Sequence, residues 1–91
     1  MLYIIAYDIA DDGRRTHIAD TLKDFGRRVQ YSVFEAQLDT ALLAALRQRV
    51  ERIVDLEDDS VRIYALCGEC EEKVTIIGQG RRTTEEKLYV V

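Results

Sequence analysis

The chain has 91 residues and a mass of 10.5 kDa, which leaves room for one domain that buries roughly two-thirds or less of its unfolded surface. Self-association is therefore expected. With 47% apolar and 33% charged residues it has the composition of an ordinary folded protein, not of a disordered one. A net charge of −4 argues against indiscriminate nucleic-acid binding and leaves room for a local basic surface. No stretch approaches the roughly 18 apolar residues of a membrane span, and Asp8 interrupts the first apolar run too early for a signal peptide. A cytoplasmic location with no membrane attachment is the expectation.

Residues 2–7 form a continuous apolar run ended by Asp8, which predicts a buried, central strand. Asp11, Asp12 and Gly13 signal a turn and supply a helix cap. Ile18, Leu22 and Phe25 recur at helical spacing, so a helix is predicted over 13–25, with Gly26 as its stop. From Arg28 to Leu38 the chain returns to strand character, Val29, Tyr31 and Val33 alternating with polar neighbours. The alternation breaks at Val33 and Phe34, where a bulge or twist is expected.

A second helix opens near Asp39 and Thr40 and carries Leu42, Leu43, Leu46, Val50, Ile53 and Val54 on one stripe. An acidic loop, 55–59, leads into a strand over 61–67, then a short turn and a strand over 74–78. Counted this way the order is strand, helix, strand, helix, strand, strand. The pattern predicts a helix-covered antiparallel or mixed sheet without fixing its strand order. Four of the last five residues, Lys87 to Val91, are apolar and need a surface, such as a sheet edge in this chain or a partner. The organisation expected is a domain over 1–78 followed by a linker and terminal strand over 79–91.

Three features can carry chemistry. Asp8 ends a buried strand beside a turn, where a carboxylate can hold a divalent metal; the competing reading is a cap for the first helix. One Asp8 makes a weak metal site, and two meeting across a homodimer axis make a better one. Arg14 and Arg15 open the first helix, and Arg27 and Arg28 precede the next strand. With Tyr7 and Phe34 they can form a basic, aromatic-edged surface for phosphate, or a solvated face paired with Asp20, Asp24 and Glu35. Cys67 and Cys70 form a CxxC, expected as two reduced thiols; zinc shared between two chains is the alternative, because the only histidine, His17, is far away in sequence and is expected on the surface of the first helix.

Taken together, Tyr7-Asp8-Ile9, the arginines after it and the run Arg28-Val29-Gln30-Tyr31-Ser32-Val33-Phe34-Glu35 resemble the small CRISPR-associated nuclease family, the non-integrase subunit of the spacer-acquisition complex. The resemblance covers essentially the whole chain. It implies an α+β, ferredoxin-like βαββαβ fold, a homodimer whose C-terminal strand docks on the partner, and magnesium bound by Asp8 of both chains. It further implies an integrase partner and metal-dependent cleavage of RNA or DNA phosphodiesters, with a non-catalytic duplex-DNA scaffold as the alternative. Under it Asp8 is the catalytic and metal-binding candidate. Tyr7, Arg14, Arg15, Arg28, Ser32 and Phe34 are the nucleic-acid-binding candidates. His17 stands where some relatives have arginine.

Overall fold

The computed structural model describes residues 1–83. Strand β1 (Leu2–Asp8) is followed by helix α1 (Asp12–Lys23), strands β2 (Arg27–Gln30) and β3 (Val33–Gln37), helix α2 (Thr40–Glu51), strand β4 (Ser60–Leu66) and a short helix α3 (Gly68–Glu72). The first six elements are βαββαβ, and the sheet has the order β2-β3-β1-β4 with every neighbouring pair antiparallel. This is the ferredoxin-like core. β1 is central, as its two-sided apolar run predicts.

The stretch expected as one strand from Arg28 to Leu38 is a hairpin, with Tyr31 and Ser32 at its turn and Gln30 paired to Val33. The irregularity expected at Val33 and Phe34 lies instead between Arg28 and Gln30. That extra residue supplies the local twist which a two-residue connection without a positive φ does not. Supplying the missing strand here is what converts the counted order into βαββαβ.

Strand alternation assigns the two faces of the sheet. Ile5 and Tyr7 of β1 and Phe34 and Ala36 of β3 pack with Ile18, Leu22, Leu46 and Val50 of the helices into one core. The opposite face carries Ile4, Ala6 and Asp8 from β1, with Tyr64, Arg62 and Ser60 opposite them on β4. Neither α1 nor α2 covers that second face; α3 meets only its Leu2 end, where Gln37 donates to Glu71.

Both main helices are capped by aspartate. Asp11 accepts the Arg14 amide at 2.8 Å, and Asp39 accepts the Leu42 amide at 2.8 Å. Asp11 takes the role considered for Asp8, which is therefore not the helix cap. α1 ends at Lys23, two residues before the predicted end, with its last turn closed on right-handed backbone at Asp24. Gly26 does not supply a left-handed stop, because positive φ among the described residues is confined to Gly78 and Gly80. It is required for another reason: a Cβ there would lie 2.2 Å from the Glu35 carbonyl oxygen and 2.7 Å from Ala36 Cβ.

Residues 74–78, expected as a strand, form none. The CxxC segment folds into α3, and the chain then turns back over the Leu2 end of the open face. Arg82 ties it down by donating to the carbonyls of Glu71, Glu72 and Val74 at 3.1, 3.3 and 2.9 Å. Thr83 donates to Glu35 at 2.6 Å and accepts from Arg27 Nε at 2.9 Å. The segment is held by these intrachain partners, and among the described residues nothing pairs with the outer edge of β4. The docking strand expected over 87–91 lies outside the described residues.

Candidate nucleic-acid interface

Tyr7 and Asp8 are neighbours in sequence and point to opposite faces of the sheet. Tyr7 is only 5% exposed, with its ring 6.4 Å from that of Phe34, which is fully buried. Neither ring forms an exposed aromatic edge. Both instead build the floor beneath Arg28: its guanidinium carbon stands 5.3 Å from the Phe34 centroid, and Nη2 lies 3.4 Å from the Tyr7 hydroxyl oxygen. Arg28 and Phe34 are directly opposed across the β2–β3 hairpin, which explains the stacking.

The Tyr7 hydroxyl in turn donates to the Tyr31 carbonyl at 3.1 Å, and the Tyr7 amide donates to the Ser32 carbonyl at 3.0 Å. The hairpin turn is therefore pinned from behind by β1. Ser32 is half-buried and contributes through its backbone. Tyr31, which composition and spacing did not single out as a site residue, is 92% exposed at the tip. The sequence placed it in the apolar alternation with Val29 and Val33, and only the hairpin shows it to be a turn residue.

Arg15 sits across a groove of about 390 Å³ from this turn; the groove is lined also by Lys23, Asp20 and Arg28. Its guanidinium donates to the carbonyls of Ile9 and Ala10 at 3.0 and 3.1 Å and pairs with Asp12, shaping the loop that follows Asp8. Arg15 is paired with Asp12 and Lys23 with Asp20, so Arg28 is the cation that leaves the groove basic among the described residues, in a chain whose net charge is negative. Arg14 does not line it. Its Nε and Nη2 donate to the two oxygens of Asp59 at 2.8 and 3.3 Å, and Asp59 also accepts the Asp55 amide at 2.8 Å. The Arg14 side chain, followed by the Asp55 amide, holds the Asp59 carboxyl below the usual carboxylate range. Arg14 thus fastens α1 to the α2–β4 loop. Of the acids considered as partners for the arginines, Asp20 pairs with Lys23, Asp24 with Arg49, and Glu35 with Thr83.

On the open face, Asp8 is exposed and its carboxylate makes no hydrogen bond or ion pair with any described residue. Opposite and diagonal to it on β4 lie Ser60 and Arg62, the second a cation that sequence reasoning did not place near Asp8. Among the described residues no group of three or more His, Cys, Asp or Glu converges. Asp8 is a hard oxygen donor without a competing partner among the described residues, chemistry that fits magnesium.

Cys67 and Cys70 are free, exposed thiols at the junction of β4 and α3, and His17 is an exposed residue of α1. The Cys70 amide and thiol hold Cys67 below the ordinary thiol range, and the Cys67 side chain pushes Cys70 above it.

The family model "CRISPR associated protein Cas2" matches residues 1–74. The chain is 43% identical over its full length, and over the full length of the relative, to the CRISPR-associated endoribonuclease Cas2 1 of Chloroflexus aurantiacus. It is 53% identical to the CRISPR-associated endonuclease Cas2 2 of Thermus thermophilus, over 77% of this chain and 78% of that protein. Among solved structures, a hypothetical protein from Thermus thermophilus aligns with TM-score 0.80 and 47% identity, covering 91% of this chain and 96% of that one. Streptococcus pyogenes Cas2 aligns with TM-score 0.75 and 31% identity, over 86% of this chain and all of that one. With a family model matching more than half of the chain and relatives this similar along its length, the chain belongs to the CRISPR-associated Cas2 family, the small adaptation subunit distinct from the integrase.

Proposed function

We propose that this chain acts in spacer acquisition as a duplex-DNA-binding scaffold that bridges integrase subunits as a homodimer. The observation carrying this reading is the basic groove, in which Arg15 and Arg28 are fixed by the loop and hairpin that frame them. Cations held on rigid elements reach phosphates with little ordering cost, and arginine donates in pairs to phosphate oxygens. Arg14 supports the groove indirectly by setting the position of α1. Phe34 and Tyr7 support it as the platform of Arg28, and Ser32 as an anchor of the turn.

The wild-type protein should bind duplex DNA and the integrase. Arg28→Ala should weaken DNA binding and lower the slope of log K against log salt by about 1, the loss of one phosphate contact. An unchanged slope in titrations over a range of salt concentrations removes Arg28 from the interface.

A second reading, endonucleolytic cleavage, is favoured by the unengaged Asp8 carboxylate on the open face and by the names of the relatives. In the homodimer, Asp8 of each protomer would hold one magnesium ion. Bound there, the metal supplies a Lewis acid for a phosphoryl oxygen and an activated water. The chain's own part is to keep Asp8 unpaired, with Arg62 nearby to attract the phosphate backbone. Incubating labelled RNA and DNA with protein and magnesium tests it: cleavage by the wild type and none by Asp8→Ala supports catalysis. Cleavage that survives in Asp8→Ala excludes this site.

A further inference from the structure

Nucleic-acid binding leaves the Cys67–Cys70 motif unused. Both thiols are free and exposed at the junction of β4 and α3, so a reagent in solvent can reach them. They are also held together. The Glu71 amide donates to the Cys67 carbonyl at 2.9 Å, which closes residues 67–71 into one helical turn. Residues three apart on such a turn have Cα atoms about 5 Å apart, inside the roughly 4.4–6.8 Å that a disulfide spans. The Cys70 thiol donates to the Cys67 sulfur, so the two sulfur atoms already face each other. Between them Gly68 leaves the approach open, since even a Cβ there would meet nothing within 4 Å.

We propose that Cys67 and Cys70 are a redox-active dithiol, which a low-molecular-weight disulfide oxidises to an intramolecular disulfide and which thiols reduce again. Cys67 is the attacking sulfur, because the Cys70 amide and thiol stabilise its thiolate. That thiolate attacks one sulfur of the small disulfide. A bond from Cys67 to that sulfur forms, the small disulfide's own bond breaks, and the first small thiolate leaves and takes up a proton. Cys70 then gives up its proton and attacks the Cys67 sulfur. The Cys67–Cys70 bond forms and the second small thiolate leaves, taking a proton in turn. Two protein thiols have lost two electrons and two protons, and one small disulfide has become two small thiols. A pair of thiolates is also half of a tetrahedral zinc site, but among the described residues no group of three or more His, Cys, Asp or Glu converges. The dithiol reaction needs no further ligand.

The chain has two cysteines, so the product can be assigned by mass alone. The reduced full-length protein is equilibrated with mercaptoethanol and its disulfide at a series of ratios, quenched with acid and weighed intact. This couple is uncharged, so Glu69, Glu71 and Glu72 of α3 do not repel it. Wild type should pass to a monomer lighter by two hydrogens and return on addition of dithiothreitol. Cys70→Ser should stop at a mercaptoethanol adduct on Cys67. In a separate experiment, limiting iodoacetamide should label Cys67 of the reduced wild type several-fold faster than Cys70, and denaturant should abolish the preference. Adducts or disulfide-linked dimers as the only products at every ratio overturn the pair. So does a wild type that stays reduced in a large excess of the disulfide. Faster labelling of Cys70, or a preference for Cys67 that survives unfolding, overturns the folded turn as the source of reactivity.

Discussion

Gly26 controls how closely the end of α1 approaches the hairpin. Its Cα faces the backbone of Glu35 and the side chain of Ala36 at distances no Cβ can occupy, and the obstructing atoms are largely main chain. Relief requires β3 to shift, and β3 carries Phe34, the ring under Arg28. Gly26→Ala should therefore destabilise the fold by about 1–3 kcal/mol, the usual range for overpacking. For a domain of this size that is a fall in Tm of roughly 4–8 °C per kcal/mol, read from thermal melts. A melt unchanged from wild type would show that the hairpin yields without cost. At this scale the sequence marked Gly26 as important for the wrong reason, because a glycine after an apolar stripe reads as a cap until the facing strand is placed. Tyr7 and Phe34 were ambiguous in the same way. An aromatic in a strand can face either layer, and only the packing of α1 and α2 decides which.

Between elements, the Arg14–Asp59 pair joins the start of α1 to the loop before β4. The Asp59 side chain is fully shielded and that of Arg14 is 32% exposed, so the pair sits at the edge of the core. The carboxyl is held below its ordinary value by Arg14 and the Asp55 amide. A group whose folded pKa is depressed contributes stability above its unfolded pKa, about 3.9 for aspartate, and loses that contribution as pH falls through the folded value. Arg14 stays charged throughout. Thermal melts of the wild type should therefore drop as pH falls below about 4, whereas Asp59→Asn should start lower at neutral pH and depend less on acid. Parallel acid profiles for the two proteins would assign the acid sensitivity to other carboxylates. This contact joins residues 45 positions apart, and nothing in local pattern announces such a pairing. The helices and β1 were readable because period and caps are local signals. The β2–β3 turn was not, since Tyr31 and Ser32 carry none of the glycine or asparagine chemistry that usually marks a two-residue connection. The strand expected over 74–78 failed for the converse reason: its β-branched run is real, but the segment is held by Arg82 against the carbonyls of Glu71, Glu72 and Val74 and not along a strand edge.

At the level of the whole molecule, one face of the sheet is sealed by helices and the other is left partly bare toward the Asp8 end among the described residues, with Ala6 and Arg62 next along the strands and Ile4 and Tyr64 beyond them. A second copy placed on this face about a twofold axis would cover that apolar surface, and it would also bring two Asp8 carboxylates together. Apolar burial favours such a pair; like charges at its centre oppose it. A divalent cation bound only by the pair removes the repulsion and, by linkage, strengthens the dimer in proportion to its occupancy. Sedimentation equilibrium with and without magnesium measures this directly, with no reference to cleavage. The wild-type dimer should tighten on addition of magnesium. Asp8→Asn keeps the size of the side chain and removes the charge, so its dimer should already be tighter without metal, by roughly tenfold for about 1.4 kcal/mol of relieved repulsion, and should not respond to magnesium. If wild type and Asp8→Asn dimerise equally and neither responds, the two carboxylates do not meet. The shared-metal reading then falls, whereas the basic groove on the far side of the sheet is untouched. That independence follows from the alternation of β1, which turns Tyr7 toward one surface and Asp8 toward the other, so that the groove reading and the shared-metal reading are tested on opposite faces of one strand.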